Sequence, residues 1–171
     1  MVPVILCFLI FKIYLLAGLL FILATFTDYL DGKIARKNNQ ITDFGKLLDP
    51  IADKILTTCA YIYFVKINLV SILPIIAILI REFLVTGIRL LACQKDKVIA
   101  AGFLGKVKTV FQLISIGLAI LFLYLNVNLE LNNFFVQSIN VSITIFLWLA
   151  AVFSVISCIS YIHIWNKIRL S

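Results

Sequence analysis

Long apolar runs, interrupted only by short polar stretches, recur from one end of this 171-residue chain to the other. Residues 44–65, 69–93, 101–125 and 134–165 each hold at least the roughly 20 residues that a helix needs to cross a bilayer. Residues 14–26 open a further helix, expected to continue to about residue 37. A soluble domain is about 45–50% apolar; here the figure is 63%, spread over the whole length. The expected fold is therefore all-α, a polytopic membrane helical bundle of five or six spans. It forms a single integral-membrane domain over residues 1–171, with no room for a separate soluble domain.

The breaks between the runs set the organisation. Residues 2–11 are apolar but too short to span, and read as a re-entrant piece or as the tail of a truncated first helix. Residues 38–43 form a polar loop in which Thr42 and Asp43 are placed to cap the next helix. Residues 66–68 are a turn, 94–98 a charged loop, 126–133 an Asn-rich turn and 167–169 a basic tail. If the fourth span is irregular anywhere, it is near Pro74. Cys7, Cys59, Cys93 and Cys158 lack CxxC spacing and read as ordinary thiols, while Trp148, His163 and Trp165 read as interfacial residues. The opening Met-Val-Pro-Val has no basic n-region, which argues against a cleaved signal peptide.

The formal charge is +7, from 15 Lys and Arg against 8 Asp and Glu. The basic residues flank hydrophobic runs instead of forming a soluble face, so nucleic-acid binding is excluded in favour of topology signals and contacts to anionic lipid or phosphate. Counting loops alternately, Lys12 and Lys66 fall on one side and the remaining basic residues on the other. Positive-inside reasoning puts that second side in the cytoplasm and turns residues 126–133 outward.

Against this apolar background, residues 28–53 stand out. They hold Asp28, Asp31, Gly32, Ala35, Arg36, Gly45, Asp49 and Asp53, spaced D-x2-D-G-x2-A-R-x8-G-x3-D-x3-D. Asp28 and Asp31 are three apart on one helix, and Asp49 and Asp53 four apart on the next, so each pair shares a helix face. Antiparallel helices joined by a short loop bring both pairs to one depth, where four carboxylates need opposite charge to offset the cost of leaving water. Hard divalent cations suit such an oxygen-rich cage between helices. Gly32 and Ala35 remove bulk where a ligand or helix must come close, and Arg36 offers a fork for phosphate. Ordinary salt bridges to Lys33, Arg36, Lys46 and Lys54 are the plainer reading, but do not account for two in-phase acidic pairs. An ion pathway is the third reading; transporter sites lie near the bilayer midplane, whereas these acids stand at the cytoplasmic helix ends.

This pattern resembles the signature of the CDP-alcohol phosphotransferases, with every fixed position filled. The resemblance implies a membrane enzyme in which a CDP-linked lipid or alcohol binds beside two divalent ions (Mg²⁺ or Mn²⁺) and an acceptor hydroxyl displaces CMP. By position, Asp28 and Asp49 resemble ligands shared by both metals, Asp31 a ligand of one, and Asp53 the second metal's ligand and the catalytic base. Asp28, Gly32, Ala35, Arg36, Thr42 and Gly45 resemble the CDP-binding residues. Two-metal chemistry of this kind suits displacement at a charged pyrophosphate. Family members also open with a complete first span carrying an Asn and an Arg that help hold the nucleotide; residues 2–11 contain neither. The family further implies a homodimer.

A second stretch, Arg81-Glu82-Phe83-Leu84-Val85-Thr86-Gly87-Ile88-Arg89 followed by AGFLGKVKT at 101–109, places four cations, Arg81, Arg89, Lys106 and Lys108, on two helices. It resembles the phosphatidylglycerophosphate synthase branch of the family. That branch implies CDP-diacylglycerol as donor, sn-glycerol 3-phosphate as acceptor held by these four cations, and a bacterial cytoplasmic membrane location with the site facing the cytoplasm. Interfacial snorkelling with a Glu82–Arg89 pair is the plainer reading, less apt for arginines inside an apolar span. An inositol-phosphate, serine or cardiolipin-type acceptor, or a non-catalytic cation-binding membrane protein, are the competing functions.

Overall fold

The computed structural model describes residues 2–38, 43–93, 102–129 and 132–170, with side chains placed for 2–27, 54–92, 102–129 and 132–166. Six helices make up the described residues: α1 (Val2–Ile10), α2 (Tyr14–Asn38), α3 (Asp43–Lys66), α4 (Ile72–Cys93), α5 (Phe103–Asn128) and α6 (Asn133–Leu170). Helices satisfy their interior backbone polar groups within their own segment, which lipid requires. Two of them, Phe103–Asn128 and Asn133–Asn166, meet the length and hydropathy of a membrane crossing over their described residues, and Tyr14–Thr27 is a shorter apolar helix. Large apolar side chains are exposed along most helices, among them Leu19, Ile22, Phe83, Leu121, Ile145 and Ile159. Such surface, spread over most of the helices, suits a lipid environment.

By contacts the chain falls into two compact units, Met1–Leu69 with Ile116–Asn140, and Val70–Ser115 with Val141–Ser171, so α5 and α6 contribute to both. In the first unit α1 packs on α2 and α3, burying Ile5 and Leu9 four residues apart on one face. Its core continues through Ala17 and Phe21 of α2, Ala60, Tyr61 and Phe64 of α3, and Ile116, Ala119 and Ile120 of α5. Gly18 lets α2 approach α5 closely, since a Cβ there would lie 3.3 Å from the Ile120 side chain. The Tyr14 and Tyr63 hydroxyls, 3.4 Å apart, join the start of α2 to the end of α3, so these two helices run antiparallel.

Two helices end in the same way. Lys12 (φ 60°) and Asn68 (φ 57°) are left-handed. Each is followed by a residue whose N–H reaches five positions back, Ile13 to the Phe8 carbonyl at 2.8 Å and Leu69 to the Phe64 carbonyl at 2.9 Å. These are Schellman caps built without glycine. The second accounts for the turn expected at 66–68 and delays α4 to Ile72, three residues later than the sequence implies, because Leu69 is engaged in the cap. Pro74 sits in the first turn of α4, where its missing N–H would have had no partner and the ring is tolerated. α5 runs to Asn128 instead of 125, with the Asn128 amide bonded to the Tyr124 carbonyl at 2.8 Å. α6 continues through the expected basic tail to Leu170, where cations suit a helix C-terminus.

In the second unit the core includes Ile75, Ile78 and Val85 of α4 and Ile143, Leu147 and Ala150 of α6, with the Phe111 ring stacked on Phe153 at 5.5 Å. Mixed into it is a run of buried polar side chains: Arg81, Lys108, Gln112, Ser115, Ser154 and Ser157.

Candidate functional site

The buried polar run in the second unit draws on three helices. Arg81 (8% exposed) comes from α4 and Lys108 (2%) from the first turns of α5, both where a charge is costly without compensation. Their common partner is Glu82. Arg81 Nη1 donates to Glu82 Oε1 at 3.2 Å, and Lys108 Nζ reaches the same oxygen in a close contact. α6 supplies the rest: Arg81 Nη2 donates to the Ser157 hydroxyl at 2.8 Å, and the guanidinium lies 5.7 Å from the centre of the Tyr161 ring. Arg81 Nε is buried and has no hydrogen-bond partner among the described residues.

α5 can come this close because residue 105 is glycine; a Cβ there would lie 3.0 Å from Arg81 Nη2. The start of α5 is held by the same tyrosine, whose hydroxyl accepts the Gly102 N–H at 2.9 Å. Tyr161 also packs with Val85 and Ala92, and Trp165 closes over that cluster as a partly buried residue. His163 and Trp148 are exposed.

Of the four cations expected to bind acceptor phosphate, the structure brings Arg81 and Lys108 together, whereas Arg89 and Lys106 have exposed side chains. Glu82, which the plainer sequence reading paired with Arg89, instead holds Arg81 and Lys108. Sequence reasoning missed Ser157, Tyr161 and Gly105. A signal was present for the first two: Ser154, Ser157 and Tyr161 recur at helical spacing on one stripe of an otherwise apolar helix, and all three are buried.

The acidic motif lies on the hairpin of the first unit. Asp28 and Asp31, with Gly32, Ala35 and Arg36, are in α2; Gly45, Asp49 and Asp53 are in α3. Their side chains, and Thr42 altogether, lie outside the described residues. Among the described residues no group of three or more His, Cys, Asp or Glu stands ready for a metal.

The sequence profile of the family described as CDP-alcohol phosphatidyltransferase matches residues 1–159. Among curated relatives, the CDP-diacylglycerol–glycerol-3-phosphate 3-phosphatidyltransferase of Bacillus subtilis is 39% identical over 159 residues, covering 92% of this chain and 78% of that protein. The protein of the same name from Rickettsia felis is 38% identical, covering 89% of this chain and 80% of its own. That from Mycoplasma genitalium is 40% identical over 102 residues, 60% of this chain and 43% of that protein. A match over residues 1–159, which takes in the acidic hairpin, α4, α5 and much of α6, places this integral-membrane protein in the CDP-alcohol phosphatidyltransferase family.

Proposed function

We propose that the protein transfers the phosphatidyl group of CDP-diacylglycerol to sn-glycerol 3-phosphate, giving phosphatidylglycerophosphate and CMP. The observation that carries this reading is the likeness to relatives of that one name, each matched over most of its length. In the reaction a hydroxyl oxygen of the acceptor forms a bond to the diacylglycerol-bearing phosphorus, the bond from that phosphorus to CMP breaks, and Asp53 takes the hydroxyl proton.

Asp28, Asp31, Asp49 and Asp53 are the residues that would hold two divalent ions, Mg²⁺ or Mn²⁺. Their chemistry fits: four hard carboxylate donors, in helix pairs three and four apart, inside an apolar chain. When bound, the ions neutralise pyrophosphate charge and stabilise departing CMP. The Tyr14–Tyr63 contact supports a common level for the two pairs. Fourteen residues on from Tyr14 is Asp28, and fourteen back from Tyr63 is Asp49. At 1.5 Å per residue both lie about 21 Å along their antiparallel helices from the tyrosine pair. Fourteen residues are two heptads, so each aspartate recurs within about 40° of the helix face that carries its tyrosine. Gly32, Ala35, Arg36, Thr42 and Gly45 then serve the CDP moiety.

For the acceptor, the buried Arg81 with its unpartnered Nε supports recognition of a phosphate. Lys108 shares its carboxylate, and Arg89 and Lys106 supply longer-range attraction. The basic loops support a location in the bacterial cytoplasmic membrane with the site facing inward. Membranes holding the protein, given labelled CDP-diacylglycerol and Mg²⁺, are expected to release CMP and form product with glycerol 3-phosphate. Product with serine or inositol phosphate and none with glycerol 3-phosphate would overturn the acceptor assignment. Absence of CMP release with every acceptor tried would leave the transferase reading without support, as a non-catalytic cation binder demands.

A further inference from the structure

We infer that Ser157 and Tyr161 of α6 are positioning residues for the phosphorylated acceptor, acting through Arg81. The inference rests on the assignment of Arg81 to acceptor phosphate.

An arginine side chain has four rotatable bonds, and a guanidinium that must meet a phosphate edge-on works only if that freedom is removed beforehand. Here each part of the group is fixed by something different. Glu82 holds Nη1 at 3.2 Å, but it is the next residue on the same helix and also serves Lys108, so it supplies charge more than direction. Direction comes from α6. The Ser157 hydroxyl accepts from Nη2 at 2.8 Å, and the Tyr161 ring lies 5.7 Å from the guanidinium carbon, within the range of a cation–π contact. Gly105 leaves no slack on the α5 side, at 3.0 Å from Nη2 to a notional Cβ. What remains is Nε, buried and without a partner among the described residues. A buried donor left unsatisfied costs free energy that a ligand oxygen recovers on binding.

Tyr161 adds a link that Ser157 lacks. Its hydroxyl accepts the N–H of Gly102, just before the first residue of α5, the helix that carries Lys108. One side chain thus meets both the Arg81 guanidinium and the entry of the helix bringing the second cation. Ser157 and Tyr161 are four apart on one face of α6. A serine chosen only to hide its hydroxyl would bond back to its own helix, as Ser160 does to the Ile156 carbonyl at 3.2 Å.

The test is a double-mutant cycle on the purified full chain in lipid–detergent micelles with CDP-diacylglycerol, Mg²⁺ and varied glycerol 3-phosphate. Ser157→Ala is expected to raise the acceptor KM about tenfold, as for loss of a hydrogen bond to a charged group, with kcat and the KM for CDP-diacylglycerol little changed. Tyr161→Phe keeps the ring and loses the hydroxyl, and is expected to raise the acceptor KM by less. In an Arg81→Lys background, which has no Nη2, Ser157→Ala is expected to add nothing. An equal rise in both backgrounds, or no rise with Ser157→Ala while Arg81→Lys raises the acceptor KM, would overturn the positioning role and leave the acceptor assignment standing. An active Arg81→Lys variant with unchanged acceptor KM would remove the assignment itself, and the inference with it.

Discussion

The acidic hairpin and the buried basic cluster solve the same problem, charge inside an apolar protein, in opposite ways. The hairpin concentrates like charge: four aspartates over 26 residues, on two helices consecutive in the chain. On the proposed reading such a group draws its counter-charge from bound divalent cations. The basic cluster is built from Arg81, Lys108, Ser157 and Tyr161 on three helices and contains its own counter-charge in Glu82. The difference teaches that a carboxylate can be a liability to folding in one region and a requirement for it in the other.

The largest effect should come from breaking the hairpin. Asp49→Ala is expected to lower metal-dependent turnover by more than about a hundredfold, since even groups behind a metal ligand are worth 10–100-fold. Thermal unfolding in metal-free detergent should not fall, because a repelling carboxylate has been removed. A variant that keeps its turnover would sink the two-ion reading.

Glu82→Gln asks the mirror-image question. It preserves shape while removing the charge that Arg81 and Lys108 share. Breaking one partner of a buried ion pair costs about 3–5 kcal/mol, so a clear drop in melting temperature is expected even without metal or substrate. Unchanged stability in Glu82→Gln, together with lost stability in Asp49→Ala, would invert the contrast between the two regions.

Legibility in the sequence follows the same division. The acidic motif can be read directly because its residues are close in sequence and helical periodicity converts spacing into a shared face. Helix number and most boundaries are legible because apolar runs are long. Boundaries slipped where side-chain and cap bonds decide them, at Leu69, engaged by a Schellman cap, and at Asn128, whose amide extends α5. Arg81 and Lys108 are visible as cations inside or beside apolar spans, but their meeting on Glu82 is not, since residue 82 and residue 108 belong to different helices. Ser157 and Tyr161 look like ordinary tolerated residues of a long span until α4 is placed beside α6.

Arg89→Ala sharpens the comparison within the basic region. Arg89 is exposed, while Arg81 is buried. Exposed charge acts through a screened field worth about 0–1 kcal/mol, so the acceptor KM should rise only a few-fold, and the rise should shrink as salt is added. A salt-independent rise as large as that of the Arg81 variant would show that Arg89 contacts the phosphate directly.

The smallest effect concerns the caps that frame the first unit. Lys12 and Asn68 both take the left-handed conformation, yet they are not equally suited to it. Asparagine tolerates that region, whereas a lysine side chain crowds its own backbone there at a cost of roughly 1–2 kcal/mol. Glycine removes that cost but enlarges the freedom of the unfolded chain, which takes back part of the gain. Lys12→Gly is therefore expected to stabilise by about 0.5–1 kcal/mol and Asn68→Gly by less, read as melting temperature in detergent. Both caps belong to the first unit and the Arg81 cluster to the second, so the acceptor KM of both variants should match the parent. If Lys12→Gly instead destabilised, the Ile13–Phe8 bond that depends on the left-handed residue would not be what ends α1, and the short first helix would need another stop.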